Sequence, residues 1–553
     1  MSPINPRFRV LTTVLLAFSA LHLYMIATGP RRPICFDELN FLYEGLRLPI
    51  ERKLGGYIHA TLLYEIAAAI ESCIYACLKI LGRVKSPVDY LIFFQLHLPA
   101  YSAIVRGIAA IAGLACIRQV YRLGAILGGE AAAEMAVILC AGNLTFLVMT
   151  SSFKEDVFYW FFLFLALEQG WKASRKQNKA AAIAAGVGIS AAFSAKYLGI
   201  FAALVAFLPF AYYRENGLRQ AARVSMTIAL SAASTLLVLF PFLLTDTHKV
   251  LASLKLLDAH TTAQSAALTW DTYLRLHLPN TAGWAIMALG TAEMIRKWAK
   301  DPRGPILLTL IPLITLFFIA RGHRQSFAYY SMPLVMLLMV LACELLVREL
   351  KALAPVALIS ILLVDPAYFR GALKYAMLLT APDTRILARD LIQSKADPGD
   401  CVLLNMGVHG ENIFGPALTP NNTPPGHGPF SAASVIANKA KPGPKYALRV
   451  VDWDEVPPQS MENCRWLAIG RRGTISRLEL KELAQDPRAA PDLAFGGFKR
   501  IGSVEAFPDE HSSSFPLLTV LDYEDFRRAS IADFWKRRAL GLSFDLYQRQ
   551  PGG

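Results

Sequence analysis

The stretch YIHATLLYEIAAAIESCIYACLKIL, residues 57–81, decides how this chain is threaded. It is long enough to cross a bilayer, which takes roughly 20 apolar residues. It also carries Glu65, Glu71 and Lys79, and charges at mid-depth are expensive. A helix lying flat in the interface keeps all three wet. The two alternatives put every later loop on opposite sides, so the basic clusters decide between them. Residues 10–26 follow Arg7 and Arg9 and run outward. With 57–81 flat, residues 99–120 run inward to Arg118 and Arg122. Residues 130–149 go out, the loop 150–156 lies outside, and 157–168 return to Lys172, Arg175, Lys176 and Lys179 inside. A hairpin over 180–213 turns outside near Lys196 and comes back to Arg214, Arg219 and Arg223. Residues 226–244 exit, the loop 245–280 is external, and 281–293 re-enter to Arg296, Lys297, Lys300 and Arg303. Residues 306–320 lead out to Arg321, His323 and Arg324, 327–346 return to Arg348 and Lys351, and 352–379 leave for the last time. A spanning 57–81 would place all the later basic clusters outside. The flat helix is therefore preferred, with about eleven spans, give or take two.

Bulk properties agree with a membrane class. The 553 residues are 54% hydrophobic, and the mean hydropathy is +0.38. A net charge of +14 raises nucleic acid as a partner, but the cations fall in short clusters between apolar runs, the positive-inside pattern rather than a phosphate-tracking patch. No nucleic-acid partner is expected. The first segment resembles a signal peptide in its basic flank, yet lacks a small-x-small cleavage site before Pro30 and reads as a retained anchor. Eight cysteines are scattered. Cys73 and Cys77 stand one helical turn apart, which without further ligands is weak for metal. Cys116, Cys140 and Cys343 lie in apolar runs and read as packing residues. Cys401 and Cys464 can pair only if their part of the chain is outside the cytoplasm.

From residue 381 the composition changes: Pro, Gly, Asn and charged residues rise and no spanning segment remains. Residues 401–405, 446–453 and 465–469 read as strands, 385–395 and 478–486 as helices, and 419–429 as a mobile Pro/Gly/Asn loop. The expected organisation is a transmembrane domain over 1–380 and a soluble α/β domain over 381–553 on the outer side.

This topology gathers polar groups on one face of the membrane. Asp37 and Glu38 follow the first segment, His59 opens the flat helix, and Lys154, Glu155 and Asp156 come from the second external loop. Lys196 sits at the next external turn, with Arg321, His323 and Arg324 at a late one. Taken singly these have bland explanations. Asp37 and Glu38 suit a helix N-terminus, Lys196 and Arg321 suit snorkelling to headgroups, and Lys154 and Asp156 suit a structural ion pair. Together, cations able to hold an anionic leaving group and a carboxylate able to take a proton describe transfer of a sugar from a lipid phosphate.

Five motifs carry a resemblance. They are Phe36-Asp37-Glu38 with Tyr43; Gly56-Tyr57-Ile58-His59-Ala60-Thr61-Leu62-Leu63-Tyr64; Ser151-Ser152-Phe153-Lys154-Glu155-Asp156; Ser194-Ala195-Lys196-Tyr197-Leu198-Gly199; and Arg321-Gly322-His323-Arg324 with Tyr329-Tyr330-Ser331-Met332-Pro333. In this order they resemble the GT-C superfamily of membrane glycosyltransferases, nearest the bacterial branch of lipid A aminoarabinose transferases and relatives of protein O-mannosyltransferases. The chain departs from that pattern at Ser151, where an early arginine is usual, and at Ile58-His59-Ala60, where a Lys-Pro-Pro stretch is common. The resemblance implies a polytopic helical fold with juxtamembrane helices in the first external loop and a polyprenyl-phosphate sugar donor. It implies Asp37 as general base, with Glu38 and Asp156 as further catalytic acids. Lys196, Arg321, Arg324 and His59 are expected on the donor phosphate, and Tyr57, Lys154 and Glu155 on the acceptor.

The expected activity is an inverting glycosyltransferase of a bacterial inner membrane, N-terminus cytoplasmic, C-terminal domain periplasmic. Its acceptor would be an envelope glycolipid, lipid A or polysaccharide, or a protein hydroxyl in second place. No cofactor and no divalent metal is expected; His248, Asp258, His260 and Asp271 match no metal spacing. A lipid-linked sugar transporter or flippase is the rival, and it would more often show repeated halves and mid-membrane charges. A non-catalytic assembly protein is a further alternative.

Overall fold

The structure is a computed structural model. It describes residues 6–28, 36–51, 61–176, 178–212, 217–252, 255, 273–322, 328–405, 418–420, 436–437, 439–440, 443–451, 464–471, 498–504 and 543–549. These form two units: Met1–Ala27, Phe41–Ala69 and Val105–Tyr375 in the first, and Thr28–Asn40, Ile70–Ile104 and Ala376–Gly553 in the second. Two early stretches thus group with the C-terminal residues, whereas the sequence places one boundary at 380/381.

The chain is mostly helical. The first helices are α1 (Pro6–Thr28), α2 (Phe36–Glu51), α3 (Leu62–Ile80), α4 (Pro87–Leu96) and α5 (Leu98–Leu127). Then come α6 (Glu130–Gly142), α7 (Leu144–Thr150), α8 (Glu155–Lys176), α9 (Lys179–Ala195), a 3-10 segment Tyr197–Phe207, α10 (Leu208–Tyr212) and α11 (Leu218–Leu239). After these follow α12 (Trp284–Lys300), α13 (Leu310–Gly322), α14 (Met332–Leu350), α15 (Ala354–Val364), α16 (Phe369–Thr380) and α17 (Thr384–Gln393). Among the described residues four helices or jointed runs are long and apolar enough to cross a membrane: Val10–Ala27, Leu98–Leu127, Leu218–Leu239 and Tyr329–Gln393. A fifth arises if α6 and α7 count as one. Length and composition thus account for four or five crossings where charge parity counts about eleven.

The differences from the expected segments have local causes. Residues 130–149 are not one rod: α6 and α7 meet at a 64° bend. Asn143 makes the break, accepting from the Phe146 N–H at 3.0 Å to cap α7 and donating to the Thr281 carbonyl at 2.7 Å. The final expected span, 352–379, is interrupted between α15 and α16, where the Asp365 carboxylate accepts from the Ala367 N–H at 2.9 Å. The described part of the expected flat helix is α3, opening with Thr61, whose carbonyl accepts from the Glu65 N–H at 3.0 Å. In the first unit α8 packs on α9 and α9 on α11, α12 on α14, and α14 on α6. Small residues permit the close crossings: a Cβ on Gly186 of α9 would stand 2.5 Å from the Ile228 carbonyl of α11.

In the second unit, the Tyr90 hydroxyl of α4 donates to the Glu71 carbonyl of α3 at 3.0 Å. Ser86 caps α4 in a capping box, its hydroxyl accepting from the Asp89 N–H at 3.1 Å while the Asp89 carboxylate accepts from the Ser86 N–H at 2.9 Å. The C-terminal residues build a six-stranded sheet of β1 (Cys401–Asn405), β2 (Thr419–Pro420), β3 (Lys445–Val451), β4 (Trp466–Arg471), β5 (Phe498–Val504) and β6 (Ser543–Arg549). Its order is β2-β3-β1-β4-β6-β5, parallel from β2 to β4, with β6 antiparallel to both β4 and β5. Three expected strands, 401–405, 446–453 and 465–469, correspond to β1, β3 and β4. β5 and β6 were not expected, and Thr419–Pro420 forms a short edge strand rather than loop. Cys401 and Cys464 form a disulfide that ties the start of β1 to the residues before β4. The expected helix 478–486 lies outside the described residues.

Candidate active site

The site is built in the first unit from the ends of four elements. α7 stops at Thr150, and the Ser151 hydroxyl donates to the Val148 carbonyl at 2.8 Å and lies 3.1 Å from the Tyr375 hydroxyl. The Lys154 N–H donates to the Ser152 carbonyl at 3.0 Å, closing a tight turn into α8. Glu155 and Asp156 then occupy the first turn of α8, where carboxylates complement the helix dipole. On the facing side α9 ends at Ala195, and Lys196 breaks it in extended conformation (φ −153°, ψ 134°). The Gly199 N–H donates back to the Lys196 carbonyl at 2.7 Å. Any side chain at Gly199 would meet the Ala192 carbonyl, with carbon 2.2 Å and oxygen 2.3 Å away. The glycine of the fourth motif is thus required by contact: only hydrogen lets the turn fold against α9.

These turns bring opposite charges together out of water. The Lys196 ammonium donates to Asp156 Oδ1 at 2.6 Å and to Glu155 Oε1 at 3.4 Å. Asp156 is 1% exposed and Lys196 9%. Tyr329 and Tyr330, just before α14, form an aromatic wall: the Lys196 ammonium lies 4.6 Å from the Tyr330 ring centre and 5.4 Å from that of Tyr329. The Lys154 ammonium is 4.8 Å from the Tyr329 ring and donates to its hydroxyl at 3.4 Å. Asp156 Oδ2 and the Ser194 hydroxyl are buried here with no hydrogen-bond partner among the described residues. Burying an acceptor unpaired costs about 1–3 kcal/mol, so the Asp156 carboxylate offers a bond that no described residue makes.

Of the expected site residues, Lys154, Glu155, Asp156 and Lys196 meet. Asp37 and Glu38 form the first turn of α2, with side chains outside the described residues. One helical turn further on, Phe41 of α2 is fully buried and packs edge-on against Phe153 of the second loop, with ring centres 5.9 Å apart. Arg321 lies in the last turn of α13; its side chain, and Arg324, Tyr57 and His59 altogether, are outside the described residues, as are Asp258, His260 and Asp271. The expected ion pair of Asp156 is therefore made with Lys196.

Four contributors have no role assigned from sequence. Tyr329 and Tyr330 belong to the fifth motif, and their repeated aromatic character beside a basic stretch is the available signal. Ser194 opens the fourth motif, which gives it no role of its own. His22 of α1 is 1% exposed, its Nε2 2.8 Å from the Thr150 hydroxyl and its Nδ1 3.0 Å from the Phe18 carbonyl. It ties α1 to the residue before the second loop. A lone histidine inside an apolar segment was its signal.

No protein-family model and no curated protein matches the chain. Among solved structures it is similar to the oligosaccharyltransferase AglB from Archaeoglobus fulgidus, in complex with an inhibitory peptide and a dolichol-phosphate, at 12% identity and TM-score 0.46 over 83% of this chain and 69% of that one. It is similar also to ArnT from Cupriavidus metallidurans bound to undecaprenyl phosphate, at 12% identity and TM-score 0.46 over 85% of this chain and 95% of the other. A third is the protein O-mannosyltransferase complex of S. cerevisiae bound to the sugar donor, at 15% identity and TM-score 0.34 over 44% of this chain and 34% of that one. These are glycosyltransferases of the GT-C kind that the sequence motifs resemble.

Proposed function

We propose that the protein is an inverting membrane glycosyltransferase that moves a sugar from a polyprenyl-phosphate donor to an envelope acceptor, a glycolipid, lipid A or a polysaccharide, at the outer face of a bacterial inner membrane. The observation that carries this is the buried Lys196–Asp156 pair with its unmade bond at Asp156 Oδ2, walled by Tyr329 and Tyr330. A buried carboxylate beside aromatic faces suits a sugar, whose hydroxyls donate to a carboxylate while its C–H face lies on a ring.

In the proposed reaction an acceptor hydroxyl attacks the anomeric carbon. The bond between that carbon and the phosphate oxygen breaks, and the phosphate departs with the electron pair. The acceptor proton passes to the Asp37 carboxylate, with Glu38 orienting the acceptor. Arg321 and Arg324 neutralise the departing phosphate, helped by His59. Lys196 is already shared by two carboxylates, so its first task is to hold Asp156 against a donor sugar hydroxyl, and its charge reaches the phosphate second. Tyr57, Lys154 and Glu155 line the acceptor side. The Cys401–Cys464 disulfide supports an oxidising compartment for the C-terminal domain.

The test is Asp37→Asn in the full-length protein, reconstituted with a labelled polyprenyl-phosphate sugar and an envelope-lipid acceptor. Transfer is expected to fall by at least about 100-fold while the melting temperature and donor binding persist. Transfer at the wild-type rate would overturn the catalytic assignment.

A further inference from the structure

The opposite end of α8 holds a second feature that the proposed chemistry does not use. A cleft of about 340 Å³ opens there, lined among others by Trp171 and Arg175 of α8, Tyr212 of α10, and Asp301, Arg303 and Gly304 of the turn after α12. Its floor is rigid. The Trp171 and Tyr212 rings meet edge to face at 4.7 Å, the Arg175 guanidinium lies 5.4 Å from the Trp171 ring centre, and the Tyr212 hydroxyl donates to the Gly304 carbonyl at 2.7 Å.

Several cations in the neighbouring helical segments are matched by carboxylates. Glu168 takes Arg122 and Lys172, Glu293 takes Arg296 and Arg348, and Glu344 takes Lys297. Among the described residues Arg175 and Arg303 form no ion pair with a carboxylate. The acid of the cleft, Asp301, is engaged by its own turn, where its Oδ1 accepts from the Arg303 N–H at 3.0 Å. Two guanidiniums that line one cleft without a carboxylate partner among the described residues, Arg175 lying over the Trp171 ring, select an oxyanion, and Arg favours the planar, bidentate contacts that phosphate oxygens offer. The surroundings name the carrier of that phosphate. Phe207 and Phe210, on the segment leading to Tyr212, are 65% and 38% exposed, an apolar flank suited to acyl chains and useless to a free ion.

We propose that this cleft binds the headgroup phosphate of an anionic glycerophospholipid. Arg175 and Arg303 grip the phosphate, Trp171 and Tyr212 support the headgroup, and Phe207 and Phe210 meet the acyl chains. The site would hold a lipid at one end of α8 while the other end presents Glu155 and Asp156.

The experiment uses the full-length protein in detergent, with native mass spectrometry after addition of phosphatidylglycerol, phosphatidylcholine or inorganic phosphate. Phosphatidylglycerol is expected to be retained over phosphatidylcholine, with the preference falling about fivefold for each arginine removed in Arg175→Gln and Arg303→Gln. Lys79→Gln, an exposed lysine of α3, should leave it unchanged. Both arginines are exposed, so the variants should melt as wild type. An unchanged preference in the double variant would overturn the proposal, as would inorganic phosphate displacing the lipid at equal concentration.

Discussion

Asp156 and Glu293 are both buried carboxylates of the first unit, and they are treated in opposite ways. Glu293 of α12 is closed. One oxygen accepts from Arg296 Nε at 2.8 Å and the other from Arg348 Nη1 at 2.8 Å. Asp156 is left half open, with Oδ1 on Lys196 and Oδ2 unpaired among the described residues. A carboxylate whose two oxygens are both satisfied fastens α12 to α14 and has nothing left to offer. One held rigid by a buried ammonium with a lone pair unspent is a structural cost, and such a cost is retained where a ligand relieves it.

The largest expected effects separate the two directly. Asp156→Asn should lower sugar transfer by about 10–100-fold, the worth of a hydrogen bond to a charged group. Its melting temperature should fall as well, because the buried Lys196 ammonium loses its 2.6 Å partner and keeps Glu155 at 3.4 Å. Glu293→Gln should lower stability alone. It leaves two guanidiniums facing a neutral amide and costs about 1–3 kcal/mol of stability, reduced from a fully buried pair because both arginines are 33% exposed. Transfer per folded molecule should stay at the wild-type value. Thermal melting and single-turnover transfer on the same samples read both. An inactive Glu293→Gln, or a fully active Asp156→Asn, would break the contrast.

A smaller effect is expected from the turn that positions Lys196. Gly199→Ala drives a methyl into the Ala192 carbonyl, and relief requires the turn to move, at about 1–3 kcal/mol. Movement of Lys196 off Asp156 should lower transfer more than binding of the donor. Gly107→Ala, on α5 with nothing near its Cβ position, should be neutral in both measurements. Equal behaviour of the two variants would show that the Lys196–Asp156 geometry does not depend on this turn.

Much of this was legible in the chain. The acid-rich start of α8 and the lysine before Tyr197 were visible because polar residues between apolar runs stand out, and charge parity put them on one face. Their pairing was not visible, since Lys196 reads equally as a phosphate ligand, and only three-dimensional contact shows it spent on Asp156. The Asn143 bend was hidden for a related reason. An asparagine inside an apolar stretch reads as a tolerated polar residue until its side chain is seen capping α7 and reaching Thr281. Strands β1, β3 and β4 announced themselves as short apolar runs, β1 directly after the turn Pro398-Gly399-Asp400, whereas β5 carries Lys499, Arg500 and Gly502 and β6 carries Asp545, Gln548 and Arg549. Those two pair antiparallel with each other, and such strands tolerate polar faces that mask the pattern.

Glu71 extends the contrast to the second unit, as a carboxyl with an open oxygen and no cation. It is 1% exposed; one oxygen accepts from the Tyr90 hydroxyl and Oε1 has no partner among the described residues. Tyr75 and Tyr101 pack on Tyr90, and Lys79 sits over the Tyr75 ring at 5.7 Å. α3 is not among the segments apolar enough to cross the membrane. Burial pushes the Glu71 carboxyl up to about 8, with the Tyr90 hydrogen bond opposing. Because the folded value lies above the unfolded one, the folded state binds the proton more tightly. Glu71 therefore favours folding fully below about pH 4.5, and that contribution is lost as pH rises through about 8. Melting temperature measured from pH 5 to 9 should fall by a few degrees through this group, and Glu71→Gln, which keeps the acceptor for Tyr90, should flatten that slope. A slope unaltered in Glu71→Gln would mean that an unpaired buried carboxyl here carries no proton, and that the ammonium beside Asp156 is not what distinguishes the two.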